Sequence, residues 1–183
     1  IKASDMAAVV AASRRCAMDN DKAQLAGQFS ISDLLEEPEY VSPLRKADCS
    51  PISDGASAMI ICTRSKAEEW QVPFVRLSGI DHRIETHNLG MRDLTTSHST
   101  RLVAEALSIH NSSLDIAELY APFSHQQIIL ERALELQADT EINPSGGVLA
   151  GNLMMASGLS RVGEVFNRIV AGEAVRGLAH ATS

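Results

Sequence analysis

Basic charge, cysteines and long apolar runs are all scarce in this sequence, and each shortage removes a class of function. Sixteen Lys and Arg stand against 23 Asp and Glu, a formal net charge of -7. No stripe of basic residues is present to neutralise a phosphate backbone, which argues against a sequence-independent nucleic-acid binder. The three cysteines, Cys16, Cys49 and Cys62, form no C-x-x-C pair and have no His nearby at ligand spacing, so a structural zinc site is not expected. So odd and sparse a set suits a reducing compartment. No apolar run approaches the ~18 residues that would span a bilayer, and no charged-then-apolar leader opens the chain. The expectation is a cytosolic protein without a membrane span. The chain starts at Ile1 inside an amphipathic pattern, where a native start would supply Met, so a preceding segment is expected.

What is present is globular. Hydrophobic residues make up 45% and charged residues 21% of the 183, values that fit neither a disordered chain nor a disulfide scaffold. Val9, Val10, Ser13, Cys16 and Ala17 follow a helical period that the polar Ser13 weakens. Residues 19 to 48, with Pro38 and Pro43, show no sustained period beyond a short helix near Ser32 to Glu37. Ala58 to Cys62 is a continuous apolar run and reads as a buried strand. Lys66 to Trp70 suits a short helix, ended by Pro73 before a strand at Phe74 to Leu77. Helical spacing returns at Leu102, Val103, Ala106 and Leu107, and again at Ile128, Ile129, Ala133 and Leu136. Its cleanest run is Met155, Leu159, Val162, Phe166 and Ile169. Strands are expected at Ile116 to Tyr120 and Val175 to Ala179. Strands alternating with helices of this length predict an α/β fold with mostly parallel sheets sandwiched by helices.

Three segments, in this order and spacing, resemble the thiolase superfamily. Asp48-Cys49-Ser50-Pro51-Ile52-Ser53-Asp54-Gly55-Ala56-Ser57-Ala58 is similar to the S-D-G-A-A-A stretch that enters a central thiolase strand. Glu118-Leu119-Tyr120-Ala121-Pro122-Phe123 stands where thiolases carry N-E-A-F or H-D-C-F. The run from Asn143 to Leu159, with Gly146, Gly147, Gly151, Asn152 and Gly158, resembles N-x-x-G-G…G-H-P-x-G-A-S-G. The similarity is greatest to sterol-carrier-type and archaeal thiolases, the acetyl-CoA acetyltransferases. It implies a thiolase-like fold that is incomplete in this chain. Residues 1–47 would form the loop region over the active site, 48–72 the end of the N-terminal half, and 73–183 the C-terminal half without its last strand.

The resemblance also implies chemistry on coenzyme A thioesters, with acyl-CoA as substrate and no tightly bound cofactor. A thiolase takes an acyl group on a cysteine thiolate and removes a proton alpha to a thioester, and the enolate oxygen needs hydrogen-bond donors. The nucleophile's position would lie before Ile1. Asn152 occupies the place of the G-H-P histidine, and an amide cannot take a proton from a thiol. It either donates a hydrogen bond to a thioester oxygen or satisfies the glycine-rich turn. Tyr120 stands beside the expected substrate carbonyl, where its hydroxyl would donate a hydrogen bond or a proton, as in thiolase-like steroid aldolases; alternatively its hydroxyl points to water. Thr182 aligns with the acid/base cysteine, and His180 lies where sterol-carrier-type relatives carry a His, with an ordinary pKa suited to proton transfer or else a structural role. His125 is a weaker candidate.

Ser50 matches a serine that contacts the pantetheine arm, or satisfies its own turn. Cys49 is read as a small buried thiol. Gly146 and Gly147 fall in the cofactor-contacting turn, but the run lacks the spacing and Lys of a P-loop. His82, His87 and His98 have no ligand spacing, so no metal is expected. By resemblance the protein is a homodimer or larger assembly, and archaeal relatives also pair with OB-fold zinc-ribbon proteins. Two other functions share these residues: a non-condensing acyl-CoA or lipid-binding protein, and an aldolase on coenzyme A thioesters that uses Tyr120.

Overall fold

The structure is a computed structural model that describes residues 1–88 and 90–182, with Asn111 described by its backbone alone. The first helix, α1 (Ala3–Cys16), carries Asp5 in its opening turn, where the carboxylate accepts the Lys2 N–H at 2.9 Å. Its buried face is Met6, Ala7, Val10, Ser13 and Arg14. The polar Ser13 therefore does not interrupt the face but belongs to it, because both polar side chains find carbonyl acceptors inside. Leu34 of α2 (Ile31–Glu36) packs on Ala7, Val10 and Leu149. Ser30 caps α2, its hydroxyl accepting the Asp33 N–H at 3.1 Å, the usual service of an N-cap serine.

Strands β1 (Glu39–Val41) and β2 (Leu44–Arg45) pair antiparallel. Helices α3 (Arg64–Trp70) and α4 (His98–Ala106) follow. The remaining elements are β3 (Ile116–Glu118), α5 (Ser124–Leu134), β4 (Glu141–Ile142), α6 (Gly147–Ala150), α7 (Ser157–Val170) and β5 (Gly177–Ala179). β3 lies between β4 and β5 and runs parallel to both, with Ile116 opposite Glu141 and Gly177.

Alternation along β3 assigns its side chains to two layers. Ala117 and Leu119 join Ala104, Leu130 and Leu134 in the cluster beneath α4 and α5. Ile116 meets Val165 of α7 and Ala174 on the other face. Burying a Leu such as Leu119 or Leu134, each at most 1% exposed, contributes about 1.5–3 kcal/mol. A parallel sheet with helices on both faces is the α/β architecture expected, and crossover helices are what parallel neighbours require.

Two expected strands are absent as such. Residues 58–62 and 74–77 carry no regular secondary structure and pair with no strand among the described residues. Neither is buried: Ile60 is 79%, Ile61 74% and Leu77 65% exposed. Their apolar composition is that of strands covered on both faces, and the described residues supply no such cover. The other two strands are shorter than expected: β3 stops at Glu118, before Tyr120, and β5 begins at Gly177, leaving Val175 exposed. Among the described residues no helix is long and apolar enough to cross a membrane.

Candidate functional site

The glycine-rich turn that joins β4 to α7 is held from three directions, and its shape follows from those restraints. Asn143 opens it with a left-handed backbone (φ 48°). Its side-chain oxygen accepts the Leu119 N–H at 2.6 Å and its amide donates to Gln127 at 2.9 Å. Gly146 has φ 90°, and a Cβ there would sit 2.6 Å from the Ala17 Cβ and 2.8 Å from the Ala150 Cβ, so only glycine fits. From α1, the Ser13 hydroxyl donates to the Gly146 carbonyl at 2.5 Å, and Arg14 donates to the Leu149 carbonyl.

The third restraint comes from the α7 face of the sheet. Glu118, fully buried, accepts from the Ser145 N–H and hydroxyl, both at 2.9 Å, and pairs with Arg161 of α7 at 2.5 Å. Arg161 also donates to the Ser145 hydroxyl at 2.8 Å. Burial pushes the Glu118 carboxyl upward, against the pull of Arg161 and the two Ser145 donors. Strand, turn and helix are thereby tied through one buried carboxylate.

What this frame presents is Asn152. It is 6% exposed. Its side-chain oxygen accepts the Met154 N–H at 3.0 Å and the Ser157 hydroxyl at 2.9 Å. Because a backbone N–H can only donate, the amide orientation is fixed, and its NH₂ points to Ser50 at 3.0 Å. Ser53 completes the join. Its N–H donates to the Asn152 carbonyl at 2.9 Å, and its hydroxyl accepts the Asn152 N–H at 3.1 Å. Ser50 is anchored by its own N–H to the Pro122 carbonyl at 2.8 Å. Its neighbour Cys49 bridges Phe123, and the buried Asp48 accepts the Ser124 hydroxyl at 2.6 Å. Two residues 102 positions apart, both expected at the site, are therefore in direct contact.

The other candidates lie near the carboxyl ends of adjacent strands. Tyr120 follows β3 and His180 follows β5, and the His180 N–H donates to the Glu118 carbonyl at 2.9 Å. The Tyr120 hydroxyl has no hydrogen-bond partner among the described residues, and none joins Tyr120 or His180 to Asn152. His180 differs chemically from what its residue type suggests. Its ring Nδ1 is buried without a partner among the described residues, and burial pushes its pKa down to about 4. It is therefore neutral at neutral pH and a poor proton donor.

Gly146 and Gly147 are buried within the turn, and the chain reaches solvent only at Gly151 and beyond. Cys49 is partly buried rather than fully so. Burial, with Asp48 adding to it, pushes its thiol pKa upward, the opposite of nucleophile activation. Thr182 is exposed. Among the described residues no three His, Cys, Asp or Glu side chains converge as a metal site.

Sequence reasoning read Ser13 as a weak step of a helix and Asn143 as the head of the glycine-rich run without giving either a role, and passed over Arg14 and Arg161. A helical face that continues through a Ser-Arg pair, and a Glu facing inward on a buried strand, were the available signals.

This parallel sheet, its crossover helices and the turn at its carboxyl edge define a thiolase-like α/β fold. No family profile matches the chain. It is 27% identical over 177 residues to acetyl-CoA acetyltransferase of Methanocaldococcus jannaschii, covering 82% of this chain and 45% of that protein. The corresponding protein of Methanothermobacter thermautotrophicus is 29% identical over 174 residues, with 81% and 45% covered. Benzoylsuccinyl-CoA thiolase subunit BbsB of Thauera aromatica is 25% identical over 183 residues, with 87% and 48% covered. Among solved structures, the Ltp2-ChsH2(DUF35) aldolase superposes with a TM-score of 0.70 at 20% identity, over 96% of this chain and 52% of that one. The chain spans about half the length of the curated relatives it matches. The chain is similar in sequence to acetyl-CoA acetyltransferases and a thiolase subunit, and it shares the fold of the part of the aldolase that it superposes on.

Proposed function

We propose that this chain is part of a thiolase-like acyltransferase acting on coenzyme A thioesters, with altered catalytic residues. The observation that carries the reading is the Ser50–Asn152 contact, which joins two of the three family-like segments. One hydrogen of the Asn152 amide is spent on Ser50. The second is free to donate to a thioester carbonyl, the service an enolate oxygen requires. Ser50 would contact the pantetheine arm, while Gly146 and Gly147 would act by shaping the turn. Tyr120 would supply a hydroxyl beside the acyl group. His180, partly buried and with its pKa pushed down to about 4, would act as an acceptor rather than an acid. The division of the chain at 47/48 and 72/73, a homodimeric assembly, an OB-fold partner and a cytosolic setting belong to the same reading.

An aldolase on coenzyme A thioesters is the second reading, and the unpartnered Tyr120 hydroxyl favours it. Asn152 cannot serve as the base of a condensing thiolase, whereas a free phenol beside a thioester suits proton transfer.

Saturation-transfer NMR with acetyl-CoA tests both. Transfer to the pantetheine protons is expected, weakened by about tenfold or less in Asn152→Ala and Ser50→Ala, as the loss of a hydrogen bond of ~1 kcal/mol would give. A folded chain that shows no transfer rejects the site. Tyr120→Phe should leave acetyl-CoA binding unchanged under either reading, and turnover of a β-hydroxyacyl-CoA that this substitution abolishes would decide for the aldolase.

A further inference from the structure

A groove of about 930 Å³, lined by neither Ser50 nor Asn152, is large by the standard of ligand pockets of ~300–1,000 Å³. Its apolar wall comes from Met6 at the start of α1, Leu44 of the β1–β2 hairpin, Leu94, and Ile129 and Ala133 of α5. The α5 contribution is a stripe: His125, Ile129, Arg132 and Ala133 recur at i, i+4, i+7 and i+8. The opposite face of that helix, Gln127, Leu130 and Leu134, is buried.

The charge of this groove runs against that of the chain. Arg45, Arg101 and Arg132 line it with His98 and His125, and Glu39 is the one carboxylate lining it, in a sequence of net charge -7. The three guanidiniums are not equivalent. Arg101 is spent on Glu105 at 2.6 Å and on His98 at 2.9 Å, and the Arg45 Nε donates to the Glu37 carbonyl at 3.0 Å. The amino end of α4, which also faces the groove, is already served by Glu85, whose carboxylate accepts the Ser99 N–H at 2.7 Å. Arg132 makes no hydrogen bond or ion pair with the described residues. His125 has its Nδ1 buried with no partner among them.

We propose that this groove binds a fatty carboxylate, its alkyl chain along Met6, Leu44, Ile129 and Ala133 and its head group on Arg132. A free guanidinium beside an apolar trough fits an anion with a long hydrocarbon tail, since a planar fork pairs two oxygens of one carboxylate. The tail supplies binding by leaving water, and the head group fixes its direction.

Calorimetric titration of the chain with dodecanoate below its micelle concentration tests this, with dodecyl maltoside as the neutral-headed comparison. Saturable binding of dodecanoate is expected, and markedly weaker binding of the maltoside. Arg132→Glu should weaken dodecanoate about tenfold or more. Ile129→Asn should weaken both ligands, and Arg176→Glu, an exposed arginine outside the groove, should change neither. Equal affinity in wild type and Arg132→Glu overturns the proposal, as does absence of binding to the folded chain. Competition by acetyl-CoA would also overturn it, by showing that the groove belongs to the coenzyme site. A poly-glutamate peptide that binds through Arg132 while dodecanoate does not would make the groove a protein-docking surface instead.

Discussion

Glu118 and Arg161 show why a buried ion pair is a constraint before it is a source of stability. Both lie inside, and the pair persists because Ser145 fills two further acceptor positions of the carboxylate. Removing one partner strands the other charge. Arg161→Leu is expected to cost about 3–5 kcal/mol in urea denaturation, whereas a double replacement by Leu should recover part of that loss. His180 makes the complementary statement through pH. Its folded pKa of about 4 lies below its unfolded value of 6.5, so the unfolded chain binds the extra proton between them. Stability attributable to it is intact above about pH 6.5 and falls on acidification by up to ~1.4 kcal/mol per pH unit. The total loss is about 3 kcal/mol once the pH is below about 4. Replacing His180 with Gln should flatten that limb of a pH–stability profile measured by chemical denaturation. An unchanged profile would mean that the ring is solvated.

At the scale of elements, the turn from Asn143 to Asn152 depends on α1 as much as on its own glycines. Gly146→Ala meets two methyl carbons at under 3 Å in a left-handed backbone, and a loss of about 2 kcal/mol or more in thermal denaturation is expected. Ser13→Ala, which removes a second donor from the Gly146 carbonyl, should cost about 0.5–1.5 kcal/mol by the same measurement. These contacts also mark what the sequence could tell. The helical period found α1, α5 and α7, and the run of glycines found the turn, but the period did not find the inward faces of α5 and α7: Gln127, Leu130 and Leu134 of α5 and Ser157, Arg161 and Val165 of α7 are buried, while Met155 is 99% exposed. Ser13 read as a flaw in α1 because its partner carbonyl lies 133 residues away, a distance that no periodicity reports. Asn152 and Ser50 were legible as candidates through resemblance alone, and it is the Met154 N–H, donating to the Asn152 side-chain oxygen, that turns the amide NH₂ toward Ser50. His180 was misjudged in its chemistry, since an ordinary imidazole pKa says nothing of burial.

For the whole molecule, the misplaced expectations collect in one region. Residues 58–62 and 74–77 have strand composition, yet they carry no regular structure and pair with no strand among the described residues, and consecutive Ile60 and Ile61 are both largely exposed. Successive side chains of an extended segment point to opposite faces. Drawn out as a strand, the two adjacent isoleucines would present apolar surface on both sides, with backbone donors and acceptors open along the edge. Such an edge is a template for pairing with another chain. The protein as it stands is expected to self-associate through this segment, with a sedimentation profile that shifts to larger species as concentration rises. Ile60→Lys combined with Ile61→Lys should suppress that shift by placing charge on the edge. It should also leave the thermal unfolding of the α1–turn–α7 frame within about 0.5 kcal/mol of the parent, since substitutions at surface positions remote from the core do little else. A large loss of stability in the double variant would show instead that residues 58–62 are buried in the folded chain. Suppression without destabilisation would mark them as an open edge that further strands would cover.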